Sequence, residues 1–513
     1  MVFGDLLSGV KSDAVFLGSP EAEAEATSSS RLPLTEVYED FHDLLRGLSG
    51  EKFVVVGRKG SGKSAFAEYV YARSLSEPNL HCDFIKKSDS NLEYAVQCGA
   101  DLGVDVNIES FFRWVIYTNI LRMFVKLPVI SESKRYRRLK VFLEKNSGYI
   151  KVDELEIKQL VSKYGFNVLI KPFVAFFEAQ FGKNVELYSE RAPYFKLLNH
   201  LEELVVNLLS SEEIVENENS FVLFFDDLDI GFDVNNPDSV SALVSLLRAC
   251  RYINNDIFGK NNIKAKAIIL MRDDIEAFLA GEGADTAKLF ASYSSHINWY
   301  QELYATDRRR ENDLNLKRFI CRRIKYAFDK NDMEVGDDPW ASLVAENDGP
   351  KSSFKFVVEQ TMFRPRDLLL FFLPLDTGKY SYPLAFSDIK FLVDAYSKQL
   401  AQEIKNELSS FYTRIEIETI FRSLAILAAK QKPTSYDEVV KVVVDNCDNI
   451  SVDELINHLY ERSIIGTVDK RGWYTFKCRQ EGLVAFSSKI DKRQSVVVQY
   501  GIRNYLTKRG YVN

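Results

Sequence analysis

The sequence predicts an α/β fold, a parallel sheet flanked by helices and enlarged by helical additions, and three stretches predict it. The first is the apolar run Phe53-Val54-Val55-Val56, followed by Gly-x-x-x-x-Gly-Lys-Ser over residues 57–64 and by the helical pattern Ala65–Val70. A short apolar run of this kind is a buried strand, and the glycine-rich segment between strand and helix is a phosphate-binding loop. The second is Phe221–Phe225, five apolar residues ending in Asp226-Asp227-Leu228-Asp229. It reads as a buried strand with carboxylates at its active edge. The third is Lys264–Met271, a further apolar strand ending in Arg272-Asp273-Asp274. A strand after the acidic one fits an additional-strand P-loop NTPase core.

The loop chemistry needs these residue types. Gly57, Gly60 and Gly62 let the backbone curl so that successive N–H groups point into one concavity. The helix starting near Lys63 adds its positive N-terminal end. Gly57, Arg58, Lys59, Gly60, Ser61, Gly62, Lys63, Ser64 and Ala65 are therefore the expected nucleotide contacts. Lys63 is expected on the β- and γ-phosphates and the Ser64 hydroxyl on Mg²⁺, with Asp226 completing the magnesium side. Asp227 stands where many ATPases keep a glutamate that orients the attacking water. It is one methylene shorter, which predicts slow hydrolysis. Arg272 is the candidate γ-phosphate sensor, or alternatively a salt-bridge partner of Asp229, Asp273 or Asp274. No Asn-Lys-x-Asp guanine motif occurs, which favours ATP over GTP.

The chain has 513 residues, enough for about two to four domains. Its 46% hydrophobic content supports a large core. The net charge of −7 gives no global basic bias towards nucleic acid, although a local basic surface stays open because net charge averages over the chain. Six cysteines lack Cys-x-x-Cys or zinc spacing and read as free thiols of a cytoplasmic protein. Phe111–Ile130 is interrupted by Arg113, Arg122 and Lys126. It is expected to be a buried amphipathic helix and not a membrane span.

In chain order, residues 1–30 form a small, acidic, Ser-rich N-terminal segment, part flexible and part short helix. Residues 31–99 and 219–310 make the ATPase core. It opens with a helix over Leu34–Leu48 closed by Ser49-Gly50, and its second strand is Leu80–Ile85. Asp226 lies 163 residues after Lys63, so residues 100–218 are a helical insertion, with helices expected at Phe111–Leu127, Arg135–Lys145, Asp153–Lys163 and Tyr194–Leu209. A helix over Ser239–Tyr252 and a last strand over His296–Tyr300 complete the core. Arg308, Arg309 and Arg310 are either a finger for a neighbouring subunit or a solvated run.

Residues 311–412 form a helical lid, with helices over Asp313–Lys330 and Phe386–Phe411. Pro365 fits a first helical turn. Arg366 beside it opposes the helix dipole, which points to a task such as reaching back to phosphate. The competing assignment pairs it with Asp367 or Asp388. Residues 413–513 read as a winged-helix domain: helices at Glu416–Ala429, Ser435–Asp445 and from Ser451 to Arg462, then a hairpin of Ile464–Val468 and Trp473–Lys477. Ser451 and Glu454 form the pattern of a capping box. The third helix carries Asp453, Glu454 and Glu461, so phosphate should repel it. A protein contact is favoured over duplex reading.

Phe16–Glu23, Gly57–Ser64, Asp226–Asp229, Met271–Asp274 and Arg364–Asp367 occur in that order. The set resembles the FunZ-type bacterial P-loop ATPases, within the broader AAA+/STAND/KAP-like group. The likeness runs over roughly 14–500 but leaves the insertion uncovered. It implies an ATP-driven switch whose lid carries a sensor arginine, here Arg366, and a role in regulation or antiphage defence. Asp227 and Arg272 depart from the residues common in that group.

The expected function is thus an ATP-binding, slowly hydrolysing, Mg²⁺-dependent switch that acts on a protein partner or by self-assembly, away from membranes. The alternatives are an ATP-dependent DNA initiator or loader using the winged helix, and a scaffold that holds ATP without hydrolysing it.

Overall fold

The apolar run before the phosphate loop becomes strand β1, Val54–Gly57, buried along its whole length. In the computed structural model, the described residues are 14–27, 29–86, 108–146, 167–185, 189–228, 232, 236–301, 308–346, 351–409, 411–430, 432–447, 450–479 and 490–508. They fall into two compact units. One holds 40–59 and 63–297; the other holds 1–39, 60–62 and 298–513.

The first unit is built on a parallel sheet. Its strands are β1, β2 (Leu80–Lys86), β5 (Ser220–Asp226), β6 (Ala265–Met271) and β7 (Ser294–Ile297), in the order β2-β5-β6-β1-β7. Strand β6 lies between the loop strand and the acidic strand, pairing Val55 with Leu270 and Phe224 with Ile268. This is the order of an additional-strand, P-loop NTPase-like core. Because all five strands run the same way, the C-terminal ends of β1, β6 and β5 share one edge, where α/β sheets bind ligands.

The described parts of residues 100–218 share a continuous apolar core with this sheet, joining Phe53, Ile85 and Phe225 to Phe112, Phe142 and Leu201. The helix Ile108–Val125 is buried on nearly every face, beyond the amphipathic pattern expected, because its apolar residues surround it. Helices Arg137–Lys145 and Leu198–Leu209 each follow a 3-10 turn. The expected helix Asp153–Lys163 lies outside the described residues. The region is not purely helical: β3 (Asn167–Leu169) and β4 (Arg191–Pro193) form an antiparallel ribbon, too short to show alternation in sequence.

Three further expectations shift. Leu34–Leu48 is two short helices, Leu34–Val37 and Leu44–Gly47. Asp43 is left-handed at φ 53°, and the Asp40 carboxylate accepts from the Leu44 and Leu45 amides at 2.9 and 2.7 Å, starting a new helix instead of continuing the old one. Helix Pro237–Tyr252 runs on as a π-helix, Ile253–Gly259. There the Asn254 side chain pairs with both backbone groups of Ala267, at 2.8 and 2.9 Å. Strand β7 stops at Ile297, and the Asn298 side chain accepts from the Tyr300 amide at 3.1 Å, a local turn that competes with strand.

In the second unit, residues 311–412 include helices Asn315–Lys330, Pro365–Phe372 and Phe386–Leu408. Helices Arg414–Ala429, Tyr436–Asn446 and Val452–Glu461 follow, then an antiparallel sheet of β8 (Ile465–Val468), β9 (Tyr474–Thr475) and β10 (Ser495–Val498) in the order β10-β8-β9. The hairpin is as expected, and β10 is an addition. Ser451 makes no side-chain cap, whereas Thr413 and Glu416 form a full capping box. The N-terminal segment includes the short helix Ala22–Glu25. Its Glu25 is buried in a two-armed pair with Arg323, at 2.7 and 2.8 Å.

Candidate functional site

The loop after β1 turns through glycine. Gly60 and Gly62 have φ of +76° and +101°, a region costly for residues with a Cβ. The helix Lys63–Ser74 then starts directly at Lys63. The Lys63 ammonium donates to the carbonyls of Gly57 and Arg58 at 2.8 and 3.1 Å, so it lies back along the loop.

Within the same unit, Asp226 ends β5 and is 3% exposed. One of its oxygens accepts from the Asp227 amide at 2.8 Å. The other, Oδ2, is buried with no hydrogen-bond partner. Burial pushes the Asp226 carboxyl above its ordinary value, against the opposing pull of the Asp227 amide, the Ser64 hydroxyl and the charges of Lys86 and Lys63. Ser64, Lys63 and Asp226 are thus brought together.

Two residues here escaped the sequence reading. Lys86 is in register with Asp226 across β2 and β5, and it pairs with Glu68 of the loop helix at 3.1 Å. The available signal was a lysine closing an otherwise suitable strand; a strand ended at Ile85 leaves it out.

Asp227 leaves the strand in a left-handed conformation, φ 57°, which aspartate tolerates better than most residues. Arg272, at the end of β6, takes the salt-bridge alternative, with Asp274 accepting from its Nε at 2.9 Å and from Nη2. Asp229 and the side chains of Arg308 and Arg309 lie outside the described residues; Arg310 pairs with Asp313 at 3.3 Å.

In the other unit, the loop tip Gly60–Gly62 groups with the later part of the chain. The Trp299 indole donates to the Ser61 carbonyl at 2.7 Å. A Cβ on Gly60 would come within 3.0 Å of the Arg366 stem. Arg366 pairs with Glu21 at 2.9 Å and Glu403 at 3.5 Å, and not with Asp367 or Asp388. Asp367 is instead three residues from Arg364, the helical neighbour spacing, and takes that arginine at 2.6 Å. Asp388 accepts from the Ala385 amide at 2.9 Å.

The donor set fits a hard cation. A hydroxyl and a carboxylate with a spare buried oxygen suit magnesium, which takes one or two protein ligands plus phosphates and water. No group of three or more His, Cys, Asp or Glu among the described residues could hold a metal by itself. No described helix is long and apolar enough to cross a membrane.

Comparison with known proteins gives limited likeness. No protein-family model matches the chain. It is similar to the transposon gamma-delta 80.3 kDa protein of Escherichia coli (strain K12), 21% identical over 291 residues. The match takes in 53% of this chain and only 38% of that protein. Among solved structures it is similar to Cdc6p from Pyrobaculum aerophilum at 10% identity, covering 96% of this chain and 99% of that one, with a TM-score of 0.28.

Proposed function

We propose that the chain is a Mg²⁺-dependent ATP-binding switch that hydrolyses ATP slowly and, in the cytoplasm, regulates a protein partner or its own assembly. The observation that carries this reading is the buried, unpartnered Oδ2 of Asp226 beside Ser64 and Lys63, on the sheet edge that also ends in the glycine loop. An unpaired buried carboxylate oxygen costs stability unless a ligand satisfies it. Lys63, now on the Gly57 and Arg58 carbonyls, swings to the β- and γ-phosphates. The loop N–H groups hold phosphate oxygens, and Ser64 and Asp226 hold the metal. Bound magnesium supplies charge neutralisation at the phosphate oxygens. Asp227 orients the attacking water, and the short reach of aspartate keeps turnover slow. Arg272 and Arg366 sense the γ-phosphate after leaving their present carboxylate partners.

The lid, the winged helix and the STAND-like organisation belong to the same proposal, as does a setting in antiphage defence, which rests on the family resemblance alone. The winged-helix reading is supported by three helices preceding a three-stranded antiparallel sheet. The acidic start of helix Val452–Glu461 supports a protein partner for it. The direct test is titration of a fluorescent ATP analogue with and without Mg²⁺, followed by phosphate release. Binding independent of both Mg²⁺ and Lys63 would overturn the reading.

A further inference from the structure

We propose that the insertion binds a phosphodiester backbone through a basic surface formed by the end of helix Ile108–Val125 and the start of helix Arg137–Lys145. The inference is independent of the ATP site. An open cavity of about 630 Å³ is lined there by Arg122, Lys126, Ser131, Lys140 and Glu144, with Val125 and Leu143 at its apolar wall. Beside it Lys134, Arg135, Arg137 and Arg138 are exposed. Residues 122–140 contain seven cationic side chains against the single carboxylate Glu132.

These cations are not neutralised. Among the described residues none of the seven forms an ion pair. Arg122 donates to Asn119 at 2.9 Å, Arg135 to Gln180 at 2.6 Å and Arg138 to the Ala175 carbonyl at 3.1 Å, while Lys140 donates to the Ser131 carbonyl. Elsewhere in the same unit cations are paired: Arg113 with Glu202, Lys183 with Glu203, and Arg248 with Asp285. The carboxylates facing the patch are Glu132 and Glu144, with Glu213 near Tyr136. In a chain of net charge −7, uncompensated like charges held close together are a cost that a polyanion relieves.

Length decides between a small anion and a polymer. Residues 134–140 rise roughly 10 Å along a helical axis, the span of about three phosphates on one strand. The cavity cations extend this row beyond the reach of a single phosphate group.

The test uses the full chain and fluorescein-labelled DNA, as duplex and as single strand, with anisotropy read between roughly 50 and 200 mM salt. The parent protein should bind at least one form, and the form bound more tightly identifies the source of the phosphodiester. Lys126→Ala/Arg137→Ala, both exposed positions, should weaken binding by on the order of tenfold per cation near 0.1 M salt. The slope of log affinity against log salt should fall by about one for each. Lys63→Ala should leave DNA affinity unchanged, which separates this proposal from the nucleotide site. The proposal is overturned if neither DNA form binds, if the double variant keeps the parent slope, or if Lys470→Ala/Arg471→Ala in the C-terminal hairpin abolishes binding instead.

Discussion

At the end of β5, Asp226 is buried with one carboxylate oxygen unpartnered. In helix Pro365–Phe372, Asp367 is buried just as deeply, yet both its oxygens are satisfied: Arg364 donates to them at 2.6 and 2.9 Å and the Met362 amide adds a bond at 3.0 Å. The two aspartates differ in what surrounds them. Asp367 sits in a closed charge network that fixes a helix start. Asp226 keeps one buried oxygen without a hydrogen-bond partner beside Ser64 and Lys63, which is what a site kept for a ligand requires. Sequence motifs single out both; satisfaction of the buried atoms separates structure from chemistry.

The largest expected effect breaks the satisfied member. Asp367→Ala leaves the buried Arg364 with Glu403 alone, at 3.2 Å, and should cost about 3 kcal/mol of stability, read as a lower urea midpoint. An unchanged midpoint would erase the contrast. Next comes Lys63→Ala, which should weaken ATP binding by on the order of 100-fold, the scale for removing one partner of a desolvated charge contact, with the melting profile of the nucleotide-free protein unaltered. Asp227→Asn should retain nucleotide but slow phosphate release by roughly 10²-fold, the lower range for a positioned acid–base group; full activity removes Asp227 from the mechanism.

The smallest effect sharpens the comparison most. Burial raises the Asp226 carboxyl, so its ionised form is disfavoured in the folded state. The stability linked to its protonated form is present at acid pH and lost as pH rises through the raised value. Asp226→Asn removes that loss. Without Mg²⁺-ATP it should stabilise the protein at neutral pH by about 1 kcal/mol, with the gain vanishing in acid, while the stabilisation that Mg²⁺-ATP confers on the parent disappears. Destabilisation at neutral pH would show that Asp226 is a structural residue like Asp367.

Much of the architecture was legible because local and long-range signals agreed. Phe53–Val56, Phe221–Phe225 and Lys264–Met271 are largely apolar runs with sharply polar ends, and each forms the expected strand. The helix break at residues 38–43 was hidden because Asp40 caps through its own side chain while the apolar spacing continues across it. Strands β3 and β10 are too short to carry a period, and β10 finds its partner β8 about thirty residues earlier in the chain. Within the site, residue types were readable but pairings were not. Arg272 and Arg366 are both at polar helix starts, and which carboxylate each one meets depends on helical face and on residues as remote as Glu21 and Glu403.

The indole of Trp299 moors the carbonyl of Ser61 across 238 positions of sequence. Any rearrangement of that loop tip therefore alters the polarity felt by a buried tryptophan. The chain has only four tryptophans, so replacing the other three with phenylalanine would leave an intrinsic optical reporter, its emission reading loop movement without an attached dye.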